Sequence, residues 1–149
     1  MKKVFNVLFV LSFVFAISCK TNTNSQFAEN NKVENTNPNT KLEVLYFHAT
    51  MRCVTCNAVE NMTKKILEET FQSQIGNGAI SFKSINVDDS ENRAISEKYE
   101  VSFSTLLLIN HKSGKEEVMN FTETAFKYAN NEPDKYSELL KSEINKILN

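Results

Sequence analysis

The chain has 149 residues, with 17 Lys and Arg against 18 Asp and Glu and a formal net charge of −1 at pH 7. Loss of an amino-terminal leader carrying Lys2 and Lys3 would leave 17 minus 2, or 15, basic residues against 18 acidic ones. That mildly acidic balance argues against nucleic acid as a partner, and the sequence holds no phosphate-cradling glycine loop, serine-nucleophile motif or internal repeat.

Residues 1–18, MKKVFNVLFVLSFVFAIS, place two lysines ahead of an apolar run and end on small residues before Cys19, the layout of a secretory signal. The run from Val4 to Ile17 is shorter than the roughly 20 apolar residues that a membrane span needs, which favours export over anchoring by a helix. Ala16-Ile17-Ser18-Cys19 resembles the bacterial lipoprotein signal, with Ala16 where leucine is usual. The resemblance implies that Cys19 is acylated and holds the mature chain on a membrane of the bacterial cell envelope, facing the periplasm or the exterior. With an ordinary cleaved signal, Cys19 would remain as an exposed thiol in an oxidising compartment, which is a chemical liability. Residues 20–41 are rich in Asn and Thr and nearly devoid of apolar side chains, so they read as a flexible tether with a reach of roughly 25 Å.

Residues 42–149 then form one small domain. Leu42 to His48 is an apolar, β-rich run expected as a buried strand. Val59, Met62, Ile66, Leu67 and Thr70 to Phe71 recur at helical spacing, giving an amphipathic helix that opens near Cys53 and stops before Gly76-Asn77-Gly78, whose two glycines supply a turn. Ile80 to Val87 reads as a second strand, with Asp88-Asp89-Ser90 as capping side chains for a short helix from Glu91 to Tyr99 that turns Ala94, Ile95 and Tyr99 inward. Thr105 to Asn110 is a third strand, and Glu117 to Thr122 returns beside it after the turn at Lys112 to Lys115. A closing helix follows, with Pro133 in its first turn and Tyr136, Leu139, Leu140, Ile144, Ile147 and Leu148 on one face. The order implies an α/β domain: a small mixed four-stranded sheet with flanking helices, and a cysteine pair at the carboxyl end of its first strand.

With Cys19 assigned to the leader, the domain owns only Cys53 and Cys56. A disulfide closing so short a loop is a weak staple, so this spacing points to chemistry. A cysteine at a helix amino terminus meets unpaired N–H groups and the positive end of the helix dipole, which favour thiolate. Cys53 is thus the expected nucleophile, and Cys56, one turn inside, the resolving thiol. Arg52 adds a neighbouring positive charge, and His48 is a candidate proton acceptor.

A strand, a Cys-x-x-Cys opening a helix, then strand, helix and hairpin resemble the thioredoxin family over nearly all of residues 42–149. Tyr99-Glu-Val-Ser-Phe-Ser-Thr-Leu-Leu-Leu-Ile109 is similar to that family's second signature segment. The resemblance implies thiol–disulfide exchange without a cofactor or metal, and Phe103, Ser104 and Thr105 as the loop that meets substrate. Partners would be client protein thiols or disulfides and a membrane electron donor. Three departures stand out: Ser104 replaces the family's cis-proline, Phe47 its buried acid and Ser84 the accompanying lysine. A non-prolyl cis bond costs about 2.5 to 4 kcal/mol, so a trans peptide is expected at Ser104. Two rival readings use the same fold. One is envelope copper handling by Cys53 and Cys56 with His48 and Met51, where Met51 otherwise caps the core; His111 belongs at the far end of the sheet. The other is a non-catalytic binding protein.

Overall fold

The structure, a computed structural model, describes residues 37–149, without the side chain of Ser113. The expected leader, Cys19 and residues 20–36 of the expected tether lie outside the described residues. The elements are β1 (Leu42–His48), α1 (Val54–Thr70), α2 (Gln72–Gly76), β2 (Ile80–Asn86), α3 (Arg93–Lys98), β3 (Thr105–Asn110), β4 (Glu117–Asn120), α4 (Thr122–Tyr128) and α5 (Pro133–Leu148). Strands run in the order β2-β1-β3-β4. β1 is parallel to β2, with Leu42 opposite Ile80 and His48 opposite Asn86, while β3 is antiparallel to both β1 and β4. This is the expected α/β class, a mixed four-stranded sheet with flanking helices.

The central strand explains the layering. Leu42 to Phe47 are all buried, as a run with no polar alternation requires of a strand covered on both faces. Leu42, Val44 and Tyr46 enter one core with Val59, Ile66, Leu67, Phe71, Tyr136 and Leu140, whereas Leu45 and Phe47 enter a second with Ile85, Leu107 and Ile109. Each such side chain contributes about 2 kcal/mol of burial. Tyr136 pins α5 to α1: its hydroxyl lies 2.6 Å from Thr63 Oγ1, which donates to the Val59 carbonyl at 2.7 Å. Burial pushes the Tyr136 phenol far above its usual range. On the other face Glu43 is buried, with His111 Nε2 at 2.9 Å and Lys83 Nζ at 3.5 Å.

Local chemistry corrects several boundaries. The expected single helix breaks at Phe71, whose backbone (φ −119°, ψ 26°) leaves the helix as its ring enters the core. Of the two turn glycines only Gly78 uses left-handed backbone, at φ +78°, and the Asn37 side chain lies against it. The last residues assigned to the tether are tied down: Thr40 Oγ1 donates to the Gly78 carbonyl at 3.1 Å, and Lys41 N–H to Ala79 at 2.9 Å. Ala94 is exposed, because α3 has only six residues and presents Ser96 to the interior instead. Asp89 precedes the 3₁₀ turn at Ser90–Asn92 without a side-chain cap, and Leu139 is exposed. α4, absent from the expected order, begins where Asn120 Oδ1 accepts the Thr122 N–H at 3.0 Å and ends β4 two residues early.

Candidate active site

β1 ends at His48 and the chain turns through residues 49–52 into α1, so the helix starts at the carboxyl end of the sheet's central strand. Cys53 is the N-cap of this 17-residue helix, and its sulfur accepts the Cys56 N–H at 3.0 Å. The two sulfurs form a disulfide with a Cα–Cα distance of 5.0 Å. Cys53 is exposed while Cys56 is only 7% exposed. A thiol arriving from solvent therefore meets Cys53 first. No acidic residue in the first turn of α1 offsets the positive end of the dipole.

A polar cluster lies beneath the pair. Tyr46, on β1, donates its hydroxyl to the Cys56 carbonyl at 2.8 Å. The Arg52 guanidinium sits 5.6 Å from the centre of the Tyr46 ring and is hydrogen-bonded to Glu60, which Lys64 also approaches at 3.3 Å. Burial pushes the Glu60 carboxyl up, but hydrogen bonds from Ser84, Arg52 and Lys64 outweigh it and leave the group below its ordinary value. Burial raises the Tyr46 phenol despite hydrogen bonds with Arg52 and Ser104. Ser84 thus lies against a carboxylate supplied by α1. Phe47 points into the opposite core.

The loop before β3 closes the site from the side. Ser104 Oγ donates to Cys56 Sγ at 3.8 Å, and Thr105 Oγ1 turns back to the Phe103 carbonyl at 3.0 Å. Phe103 is 68% exposed on the rim. Among the described residues no peptide bond is cis. The loop after β1 is fastened by Thr50, whose N–H donates to Asp88 Oδ2 at 2.7 Å and whose hydroxyl accepts from Asn86 at 3.0 Å. Hydrogen bonds from the Thr50 backbone and hydroxyl hold Asp88 below its ordinary value.

The structure brings Cys53, Cys56 and Ser104 together, with Phe103 beside them. Arg52 is adjacent, but its charge is shared with Glu60. His48 stacks on Tyr46 at 5.9 Å, and its Nδ1 lies 3.0 Å from the Ala49 carbonyl. Met51 does not cap the core: it is 90% exposed, because the turn into α1 carries it outward. Among the described residues no three His, Cys, Asp or Glu side chains converge, and His111 is bonded to Glu43 at the start of β1. Tyr46 and Glu60 were not singled out from sequence. The spacing that marks Glu60 is four residues after Cys56 and four before Lys64, one helix face.

No family model matches the chain, and no curated protein matches it. Among solved structures it is similar to a thioredoxin of Fasciola hepatica (24% identity, TM-score 0.41, 60% of this chain and 78% of that one). It is also similar to a malarial protein (19%, TM-score 0.39, 59% and 94%) and to a thioredoxin of Thermus thermophilus (21%, TM-score 0.35, 53% and 58%). The chain's own strand order, and a Cys53–Cys56 disulfide capping the helix that follows its central strand, make the described domain a thioredoxin-like fold with a Cys-x-x-Cys pair.

Proposed function

We propose that this protein is a thiol–disulfide oxidoreductase acting on protein thiols in the bacterial cell envelope, held at the membrane by lipid on Cys19. The observation that carries the activity is the asymmetry of the pair: an exposed sulfur at a helix amino terminus, joined to one that is 7% exposed. In the reducing direction the Cys53 thiolate attacks a client disulfide. A bond forms between Cys53 and one client sulfur, and the other client sulfur leaves as a thiolate and takes up a proton. Cys56 then loses its proton and attacks Cys53, releasing the second client thiol. The client gains two electrons and two protons, and the pair is left as the disulfide seen here. A membrane electron donor would restore the dithiol. The same steps run backwards oxidise a client.

Trapping tests this reading. Cys56→Ser should accumulate mixed disulfides between Cys53 and envelope proteins that a reductant dissolves, and adding Cys53→Ser should remove them. Recovery of no adduct from Cys56→Ser would contradict the mechanism. Labelling of the wild type by a fatty acid, lost in Cys19→Ser, would support the anchor. Equal labelling of both would contradict it.

A further inference from the structure

Cys56 must become a thiolate to resolve a mixed disulfide, yet it is 7% exposed, and burial in apolar surroundings pushes a thiol's pKa up. Some group has to offset that penalty. The two sulfurs are served by different donors: Cys53 Sγ receives the Cys56 N–H at 3.0 Å, and Cys56 Sγ receives the Ser104 hydroxyl at 3.8 Å, within hydrogen-bond reach of sulfur. Ser104 is itself held in place. Thr105 next to it is buried and bonded to the Phe103 carbonyl at 3.0 Å, and the following Leu106 N–H donates to Thr122 Oγ1 at 2.9 Å.

We propose that Ser104 is the thiolate-stabilising donor of the resolving cysteine: in the reduced protein its hydroxyl points at Cys56 Sγ and lowers the proton affinity of that sulfur. The function of this bond in turnover rests on the oxidoreductase reading above; the bond itself does not. The Tyr46 hydroxyl, already donating to the Cys56 carbonyl, also contacts Ser104 and gives the serine proton a second acceptor. A hydrogen bond to an anion is about twice as strong as one between neutral groups, so the proton turns to sulfur as charge appears there. No atom leaves and no electron is transferred at Ser104. A proline at this position would carry no hydroxyl to donate.

The first test reads Cys56 alone. In the full chain carrying Cys19→Ser and Cys53→Ser, Cys56 is the last of the three cysteines, and serine is itself a good N-cap, so α1 keeps its start. Thiolate absorbance against pH should show Ser104→Ala lowering the acid dissociation constant of Cys56 about fivefold, with Ser104→Thr restoring it. An unmoved titration in Ser104→Ala, or one that threonine fails to restore, would overturn the proposal.

The second test reads resolution. With a small aromatic thiol linked to Cys53, Ser104→Ala should slow thiol release about fivefold below the Cys56 midpoint and converge with wild type well above it. Equal slowing at every pH would mark a merely structural role and overturn the proposal. A wild-type adduct that never releases thiol, beside a titration that moves as expected, would sink the oxidoreductase reading while supporting the hydrogen bond.

Discussion

The Tyr46 hydroxyl and the Cys56 carbonyl oxygen are 2.8 Å apart, so the last inward residue of β1 on the α1 face holds the helix turn that carries the resolving cysteine. Sheet and site are joined at that bond. Tyr46→Phe keeps the ring packing and removes the donor, and should cost about 1 kcal/mol, since the carbonyl keeps its helical partner. The urea midpoint should fall with an unchanged slope. An unshifted midpoint would show that the bond contributes nothing.

Glu60 gives a pH signature. Its folded pKa lies below the ordinary value of 4.5, so it contributes stability above that value and loses it as pH falls through the folded pKa. Glu60→Gln should therefore be less stable than wild type by about 1 to 3 kcal/mol at neutral pH, because Arg52 loses its anion in a half-buried site. The gap should close as the pH falls below 4.5 and through the folded pKa. Paired urea melts at neutral and acid pH check this, and a gap that widens on acidification would contradict the assignment.

The succession of strands along the chain and the place of the cysteine pair are legible in the sequence because both follow from strong local signals. Val44 to Phe47 and Leu106 to Ile109 are unbroken apolar runs, and a Cys-x-x-Cys after a strand has few meanings. The cluster under the pair was not legible in the same way. Glu60 and Lys64 resemble the solvated charges at Lys65 and Glu69 until the helix is rotated against Tyr46 and Ser84, and only tertiary packing fixes that rotation. The carboxylate under the pair comes from α1, and β1 carries Phe47, which faces the other core. α4 is not legible in the sequence because Thr122-Glu-Thr-Ala-Phe-Lys-Tyr128 is too short for a clear period, and its start depends on the Asn120 side chain.

Gly78 tests the turn between α2 and β2. At φ +78° an alanine is strained, and its Cβ would meet the Asn37 side chain. Gly78→Ala should cost about 1 to 2 kcal/mol. Gly76→Ala, where nothing approaches the added carbon and the residue ends α2, should be neutral or slightly stabilising. Urea melts that rank the two the other way would contradict this account of the turn.

Phe103 separates contact with clients from folding. At 68% exposure its side chain adds little to the core, so Phe103→Ala should stay within about 0.5 kcal/mol of wild type. Exchange with a protein disulfide should slow severalfold, while exchange with glutathione should be nearly unchanged. Loss of both rates in equal measure would show that the rim loop does not meet the client.

The central claim is that Cys53 and Cys56 form a working redox couple, and an equilibrium titration tests it most directly. The chain is brought to equilibrium with glutathione or dithiothreitol buffers of defined potential, and alkylated Cys53 and Cys56 are counted by mass. A single two-electron transition between about −120 and −270 mV is expected, and its position tells oxidant from reductant. A pair that shows no transition in that window would contradict the claim.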